Sequence, residues 1–220
     1  MIRFVIIEDE QLVCDMLACH IETSMSGYRF AGWAGRADQG LELCRRVQPE
    51  LVLVDIHIQE GDGIETAQTL LQEFPEMNII LISGQCSPYN CYRISQSKIR
   101  GFVDKVHPLV ELQEAVEQVI AGGSWFAETY KKVCREYGER PDAFFKILSE
   151  REQQVLLLVA CGDNDEQIAQ RLNISRRTAE THRHNITKKM GLPDASALRT
   201  YAVETGMWHP CLKGNFPDPF

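Results

Sequence analysis

The chain has 220 residues, of which 44% are apolar and 25% charged, with a formal net charge of −8. That length accommodates two small domains or one large one, and the balance is that of an ordinary globular protein rather than a disordered or fibrous one. No stretch approaches the ~20 uninterrupted apolar residues of a membrane helix. The N-terminus carries no basic segment with an apolar run behind it, so the expected location is the cytoplasm.

The net charge conceals an asymmetry. Residues 1–125 carry 9 Lys/Arg against 18 Asp/Glu, whereas residues 147–213 carry 9 against 8. An acidic half joined to a near-neutral half suggests divided labour. The eight cysteines are scattered and none forms a C-x-x-C pair. They read as reduced thiols in or near the core, with a redox role for Cys86 and Cys91 as the lesser alternative.

The first half alternates strand and helix. Phe4-Val5-Ile6-Ile7 runs into Glu8-Asp9, and a helix with Leu12, Met16, Leu17 and Ile21 on one face follows over 10–24. A strand at 29–34 precedes a helix at 37–47. Leu51-Val52-Leu53-Val54 stops at Asp55, and a loop with Gly61 and Gly63 leads to a helix over 64–74, ended by Pro75. Ile79-Ile80-Leu81-Ile82 stops at Ser83, followed by a helix near 89–98. Gly101-Phe102-Val103-Asp104 stops at Lys105, and an amphipathic helix from 109 closes at Gly122-Gly123. Near-continuous aliphatic runs separated by helices read as parallel strands buried on both faces. Five such βα units make a doubly wound sheet whose ligand crevice lies at the carboxyl ends of the strands.

Glu8, Asp9, Asp55, Ser83 and Lys105 therefore converge on one rim. Adjacent carboxylates repel unless a cation sits between them, and an all-oxygen set with few protein ligands suits Mg²⁺. Lys105 and Ser83 fit the oxygens of a phosphoryl group, and an aspartate is a competent phosphoryl acceptor. One polar residue at a strand end is ordinary loop punctuation; five at matching ends are not.

Residues 124–146 read as a linker, partly helical. From 147 onward the period is helical throughout. Ser149 and Glu152 have capping-box spacing. Helices ending near Gly162, spanning 164–172, running from Ser175 to Met190, and continuing to about 205 follow, with the tight turn Asn173-Ile174-Ser175 making a helix-turn-helix. The helix after Ser175 carries Arg176, Arg177, Arg183, Lys188 and Lys189 against the single acid Glu180, a basic patch absent from the domain total.

The pattern Glu8-Asp9, Asp55, Asp62-Gly63, Ser83, Lys105 resembles the receiver domain of two-component response regulators over residues 1–123, a flavodoxin-like fold of five parallel strands. The resemblance implies that Asp55 accepts phosphate from a sensor histidine kinase. Mg²⁺ would be held by Asp9, Asp55 and the backbone carbonyl of His57, with Glu8 acting chiefly through water. Ser83 and Lys105 would bind phosphoryl oxygens and Phe102 would be the switch aromatic. Gln59 stands where a proline is usual, Gly84 replaces a frequent alanine, and His57 is an unusual neighbour of the nucleophile.

Leu148-Ser149-Glu150-Arg151-Glu152, Gly162, Asn164, Glu166, Ile168-Ala169, Leu172, Ile174-Ser175, Thr178, His182, Asn185-Ile186 and Lys189-Met190-Gly191 resemble the LuxR-type helix-turn-helix of NarL/FixJ-class regulators. This all-α domain spans 147–207, and an irregular tail spans 208–220. Carried over by helical phase, Glu180, Thr181 and His184 face bases, while Arg176, Arg177, Arg183, Lys188 and Lys189 belong to the DNA-binding surface, mostly at phosphates. Glu180 departs from the lysine common in the class, and Ala179 from the common valine. The implied protein is a phosphorylation-controlled transcription factor that binds promoter DNA, dimerises and is not a multiple-turnover enzyme. The competing readings are a receiver-based protein-interaction regulator with weak or no DNA binding and, third, a phosphotransferase using Asp55 catalytically.

Overall fold

The computed structural model describes residues 1–106 and 108–207, and the tail at 208–220 lies outside the described residues. The described residues form two compact units: residues 1–86 with 93–132, and residues 87–92 with 133–207.

The first unit is a parallel sheet. Its elements are β1 (Ile2–Ile7), α1 (Gln11–Ser24), β2 (Tyr28–Ala34), α2 (Ala37–Val47), β3 (Leu51–Asp55), α3 (Gly63–Glu73) and β4 (Asn78–Ser83). They continue with α4 (Pro88–Ser95), whose residues 88–92 belong to the second unit, then β5 (Gly101–Asp104), α5 (Leu109–Ile120) and β6 (Trp125–Phe126). The strand order is β2-β1-β3-β4-β5-β6. After β1 the chain steps out to the edge at β2 and returns on the far side of β1 as β3, so the order reverses between β1 and β3. In such sheets the carboxyl ends at the reversal leave a crevice.

Side-chain alternation gives the inner strands β1, β3, β4 and β5 two buried faces. Phe4, Ile6, Leu51, Leu53, Ile80, Ile82 and Val103 pack with Leu17 and Ile21 of α1 and with Leu112, Ala115, Val116 and Val119 of α5. The intervening Ile7, Val52, Val54, Ile79 and Leu81 are equally buried, and Ile7 sits so close to Gly40 that a Cβ there would lie 2.5 Å from its Cδ1. Burying one such side chain contributes roughly 1.5–3 kcal/mol, so the sheet's aliphatic runs carry most of this unit's stability.

The sheet has six strands where the sequence predicts five. β6 pairs with β5 through Gly101↔Trp125 and Phe102↔Phe126. Two residues are too short to register as a period, and the pairing depends on a neighbour over twenty residues upstream. The segment read as a linker also contains α6 (Glu128–Glu139) and α7 (Phe144–Ile147). Tyr130 of α6 stacks on Phe126 at 4.8 Å and lies 5.5 Å from Phe102.

The second unit is helical: α8 (Glu150–Ala160), α9 (Asp165–Arg171), α10 (Arg176–Lys189) and α11 (Ala195–Glu204). Its core joins Phe144, Val155, Leu156, Ile168, Ala179, Ile186, Leu198 and Ala202. Side chains fix the helix starts. Ser149 and Glu152 form the expected capping box, and Asn164 and Gln167 form a second at the start of α9. Ser175 Oγ accepts from the Thr178 amide at 3.1 Å, and Asp194 caps α11. Each cap satisfies amides that the first turn leaves unpaired. Leu198 and Ala202 of α11 face this unit's own core, leaving Val203 exposed.

Candidate functional site

The acidic crevice forms because β1 and β3 end side by side. Ile7 pairs with Val54, so Glu8 and Asp9 emerge beside Asp55. Asp55 in turn pairs with Ile82, which places Ser83 one residue beyond it, and Ser83 pairs with Asp104 next to Lys105. The parallel register alone brings five distant residues to one rim.

Lys105 lies at its centre. Its Nζ donates to Asp55 Oδ2 at 2.8 Å and lies 2.6 Å from Glu8 Oε2. Glu8 is fully buried, and burial pushes its carboxyl up to about 7, opposed by Lys105 and assisted by the Asp55 charge. Burial works against the Lys105 ammonium, yet its hydrogen bond to Asp55 and the nearby Glu8 carboxylate more than offset this and hold its pKa above the ordinary value. The approach of Lys105 to Glu8 Oε2 is close but poorly aligned, because that buried oxygen receives no hydrogen bond. One ammonium serves two carboxylates and Asp9 stands beside them. The three carboxylates offer oxygens within 4.8 Å of one another. A small hard dication fits that donor set: it needs oxygen ligands, its bound water would satisfy the orphaned Glu8 oxygen, and its charge would relieve the repulsion.

The remaining predicted residues take these positions. The His57 amide donates to Asp55 Oδ1 at 3.3 Å, orienting the carboxylate from its own loop. Ser83 is buried, but its hydroxyl donates to the Gln85 carbonyl at 2.8 Å and accepts from the Gln85 amide at 3.2 Å. It is therefore engaged in its own loop. Phe102 is fully buried.

Several supporting residues carry no local signal in the sequence. The Trp33 indole donates to the Glu8 carbonyl at 2.6 Å, tying the edge strand to the end of β1. Gly63 lets α3 start against the end of β3: a Cβ there would lie 1.8 Å from the Asp55 carbonyl oxygen. Asp62 caps α3 through the Glu65 amide at 2.9 Å and receives both Arg93 nitrogens, at 2.6 and 2.9 Å. Burial would raise the Asp62 carboxyl, but the Arg93 guanidinium holds it below the usual range. Arg36 pairs with Glu60 and bridges to Gln59, so the loop lacking a proline is tethered from the β2–α2 side.

The second candidate site is α10. Its basic residues are less available than composition suggests. Arg183 donates to Asp165 at 2.7 Å, Lys189 to Glu152 at 2.8 Å, and Arg176 to Glu180 at 3.0 Å. Glu152 is buried, which alone would raise its carboxyl. Lys189 and the Ser149 amide and hydroxyl hold it below the ordinary value instead. Arg177 and Lys188 are exposed and make no ion pair among the described residues, and Glu180, Thr181 and His184 are exposed on the same helix.

A doubly wound unit with a carboxylate rim, followed by a helix-turn-helix, defines a response regulator. Residues 4–117 match the family described as "Response regulator receiver domain", and residues 146–202 match "Bacterial regulatory proteins, luxR family". The chain belongs to the two-component response regulators with a LuxR-type helix-turn-helix domain, a transcription-regulator architecture. It is similar to the "Transcriptional regulatory protein MctR" of Rhizobium johnstonii, with 32% identity over 206 residues that cover 94% of this chain and 95% of that one. It is also similar to the "Response regulator protein VraR" of Staphylococcus saprophyticus, with 24% identity, 92% of this chain and 97% of that one. Among solved structures it resembles RcsB of Salmonella enterica serovar Typhimurium "bound to promoter P1flhDC in the presence of phosphomimetic BeF3-". The TM-score is 0.65 at 20% identity, covering 93% of this chain and 98% of that one. Among the described residues, no helix is long and apolar enough to cross a membrane.

Proposed function

We propose that this protein is a cytoplasmic transcription factor whose DNA binding is controlled by phosphorylation of Asp55. The observation that carries this reading is Lys105 Nζ at 2.8 Å from Asp55 Oδ2, beside Glu8 and Asp9. An Asp55 carboxylate oxygen attacks the phosphorus of a phosphohistidine on a sensor histidine kinase. The P–N bond breaks, the imidazole leaves, and an acyl phosphate remains on the protein. Asp9, Asp55, the His57 carbonyl and, through water, Glu8 would hold Mg²⁺. When bound, the ion supplies charge neutralisation to the phosphoryl oxygens. Lys105 follows the new phosphoryl oxygens from its present place on the carboxylate. The Ser83 hydroxyl exchanges its bond to Gln85 for one to the phosphoryl group, and that exchange offers Phe102, on the neighbouring strand, a second packing state. The same chain accepts and loses its phosphate, so it is not a multiple-turnover enzyme.

The output is α10 in the major groove of promoter DNA. Its N-terminal portion faces base edges through Glu180, Thr181 and His184, while Arg176, Arg177, Arg183, Lys188 and Lys189 supply the positive surface. The protein acts as a homodimer. The proposed functional division is a receiver at 1–123 and a helix-turn-helix domain at 147–207, with β6, α6 and α7 lying in the 124–146 connection and a tail at 208–220.

The test is labelling with a small phosphoryl donor and Mg²⁺, read by intact mass and an acyl-phosphate-sensitive gel. Wild type gains one phosphoryl group and Asp55→Asn gains none; retained labelling in the variant refutes the site. A second reading has a specific observation in its favour. Three of α10's five cations are paired with acids of the same unit, which favours a protein-interaction output with weak DNA affinity. Gel shifts at low and moderate salt separate the two, because phosphate contacts require steep salt dependence.

A further inference from the structure

Glu180 is the one acid among five basic residues on α10. It is 48% exposed and stands one turn after Arg176, whose Nε donates to its Oε1. An acid on a helix that lies along phosphates weakens binding unless its charge is countered and its carboxylate is turned to the base edges. The structure meets the first condition, and the place on the helix favours the second. Arg176 donates to one oxygen and biases the side chain's orientation, and the position lies in the N-terminal half of the helix, the part that faces bases in a helix-turn-helix.

The chemistry of the group then selects the base. An ionised carboxylate accepts hydrogen bonds and donates none. In the major groove guanine presents N7 and O6, thymine presents O4, and adenine sets N7 beside its amino group; all bring a lone pair toward the carboxylate. Cytosine alone presents a donor, its N4 amino, without a neighbouring acceptor. We propose that Glu180 determines the DNA sequence preference of this protein by accepting the N4 amino of a cytosine, with Arg176 as its positioning residue. The inference rests on the DNA-binding reading above and deepens it.

The test uses the full-length chain, treated with a small phosphoryl donor and Mg²⁺, to select duplexes from a randomised library. Wild type recovers a motif with one position per half-site where cytosine is favoured over thymine by about tenfold. Glu180→Gln moves that one position from cytosine to adenine, since an amide donates to N7 and accepts from the N6 amino. Glu180→Ala flattens the same position and leaves the rest of the motif. Arg176→Gln weakens the preference about threefold at that position, beyond any uniform loss of affinity. A shift to adenine cannot arise from misfolding.

A cytosine preference that survives both Glu180 variants overturns the inference, as does a motif without such a position. So does a Glu180→Ala variant that binds every sequence uniformly more tightly, which assigns the acid to electrostatics alone. In those cases a salt-dependent shift of bulk duplex leaves the DNA-binding reading intact. Wild type that enriches no sequence and shows no salt-dependent shift overturns both.

Discussion

The carboxylate rim and the recognition helix both set opposite charges within about 3 Å of each other, yet they differ in what surrounds the charges. Glu8 and Asp55 are buried and share one ammonium, so their interactions are weakly screened and a change in one is felt by the other. On α10 the pair Arg176–Glu180 is 66% and 48% exposed, where an ion pair contributes about 0–1 kcal/mol and yields to salt. Burial therefore separates a site that must be complete from one that can be retuned residue by residue. The first suits a chemical step and the second suits selectivity among DNA sequences.

The largest expected effect concerns cation binding at the rim. Burial raises Glu8 to about 7, so below that pH the carboxyl keeps its proton and a dication must displace it. Mg²⁺ affinity is expected to fall as pH drops from 8 to 6, approaching tenfold per unit at the acid end. Glu8→Gln should flatten that dependence. The Trp33 indole, bonded to the Glu8 carbonyl, provides a fluorescence readout, with Trp33→Phe as the control. The same shift makes the metal-free receiver lose stability as pH rises. A carboxyl whose folded pKa is raised holds its proton between the unfolded value and about 7, so its stabilising contribution is present at low pH and lost through that window. Added Mg²⁺ should reverse the slope, and a melting temperature followed from pH 5 to 8 reads it.

Next in size is the Asp62–Arg93 pair. Its side chains are mostly buried and doubly bonded, and removing one partner strands the other. Arg93→Ala is expected to cost about 2 kcal/mol, somewhat below the range for fully buried pairs, measured by urea unfolding of the full chain with the receiver followed separately. A loss under 0.5 kcal/mol, the level of an ordinary surface change, would place the pair with the surface pairs of α10.

Smaller again is the Ser149 cap of α8. Ser149→Ala removes a side-chain acceptor and half of the capping box, at an expected cost of about 1 kcal/mol. The smallest effect is at Glu152, whose carboxyl is held low by Lys189 and Ser149 despite its burial. Its contribution is present above the ordinary carboxylate range and lost as pH falls through the folded value. Wild type should lose part of its advantage over Glu152→Gln in acid, measured as the difference in unfolding midpoint between pH 6 and pH 4.

What the sequence made legible follows the same division. Runs such as Leu51–Val54 are buried on both faces, so hydrophobicity alone reveals them, and parallel register then brings Asp55, Ser83 and Lys105 together without further information. Local hydrogen bonding made the Ser149–Glu152 cap and the Ser175 start of α10 readable as well. Long-range bonds were not readable. β6 exists through its pairing with Gly101 and Phe102, Trp33 meets Glu8 across the sheet, and Arg93 meets Asp62 from a different helix. The pairing of Arg183 with Asp165 and of Lys189 with Glu152 likewise depends on how α9, α8 and α10 pack, which no charge count along the chain expresses. The engagement of Ser83 with Gln85 is a choice between two partners, and only coordinates reveal which one a hydroxyl has taken.

The central claim is that chemistry at Asp55 governs the affinity of α10 for DNA. Its most direct test is an equilibrium titration of promoter duplex with the full-length protein, with and without a small phosphoryl donor and Mg²⁺, for wild type and Asp55→Asn. The account predicts that the donor tightens binding by wild type at least several-fold and leaves the variant unchanged. Equal tightening in Asp55→Asn, or affinity indifferent to the donor in a fully phosphorylated wild type, would contradict it.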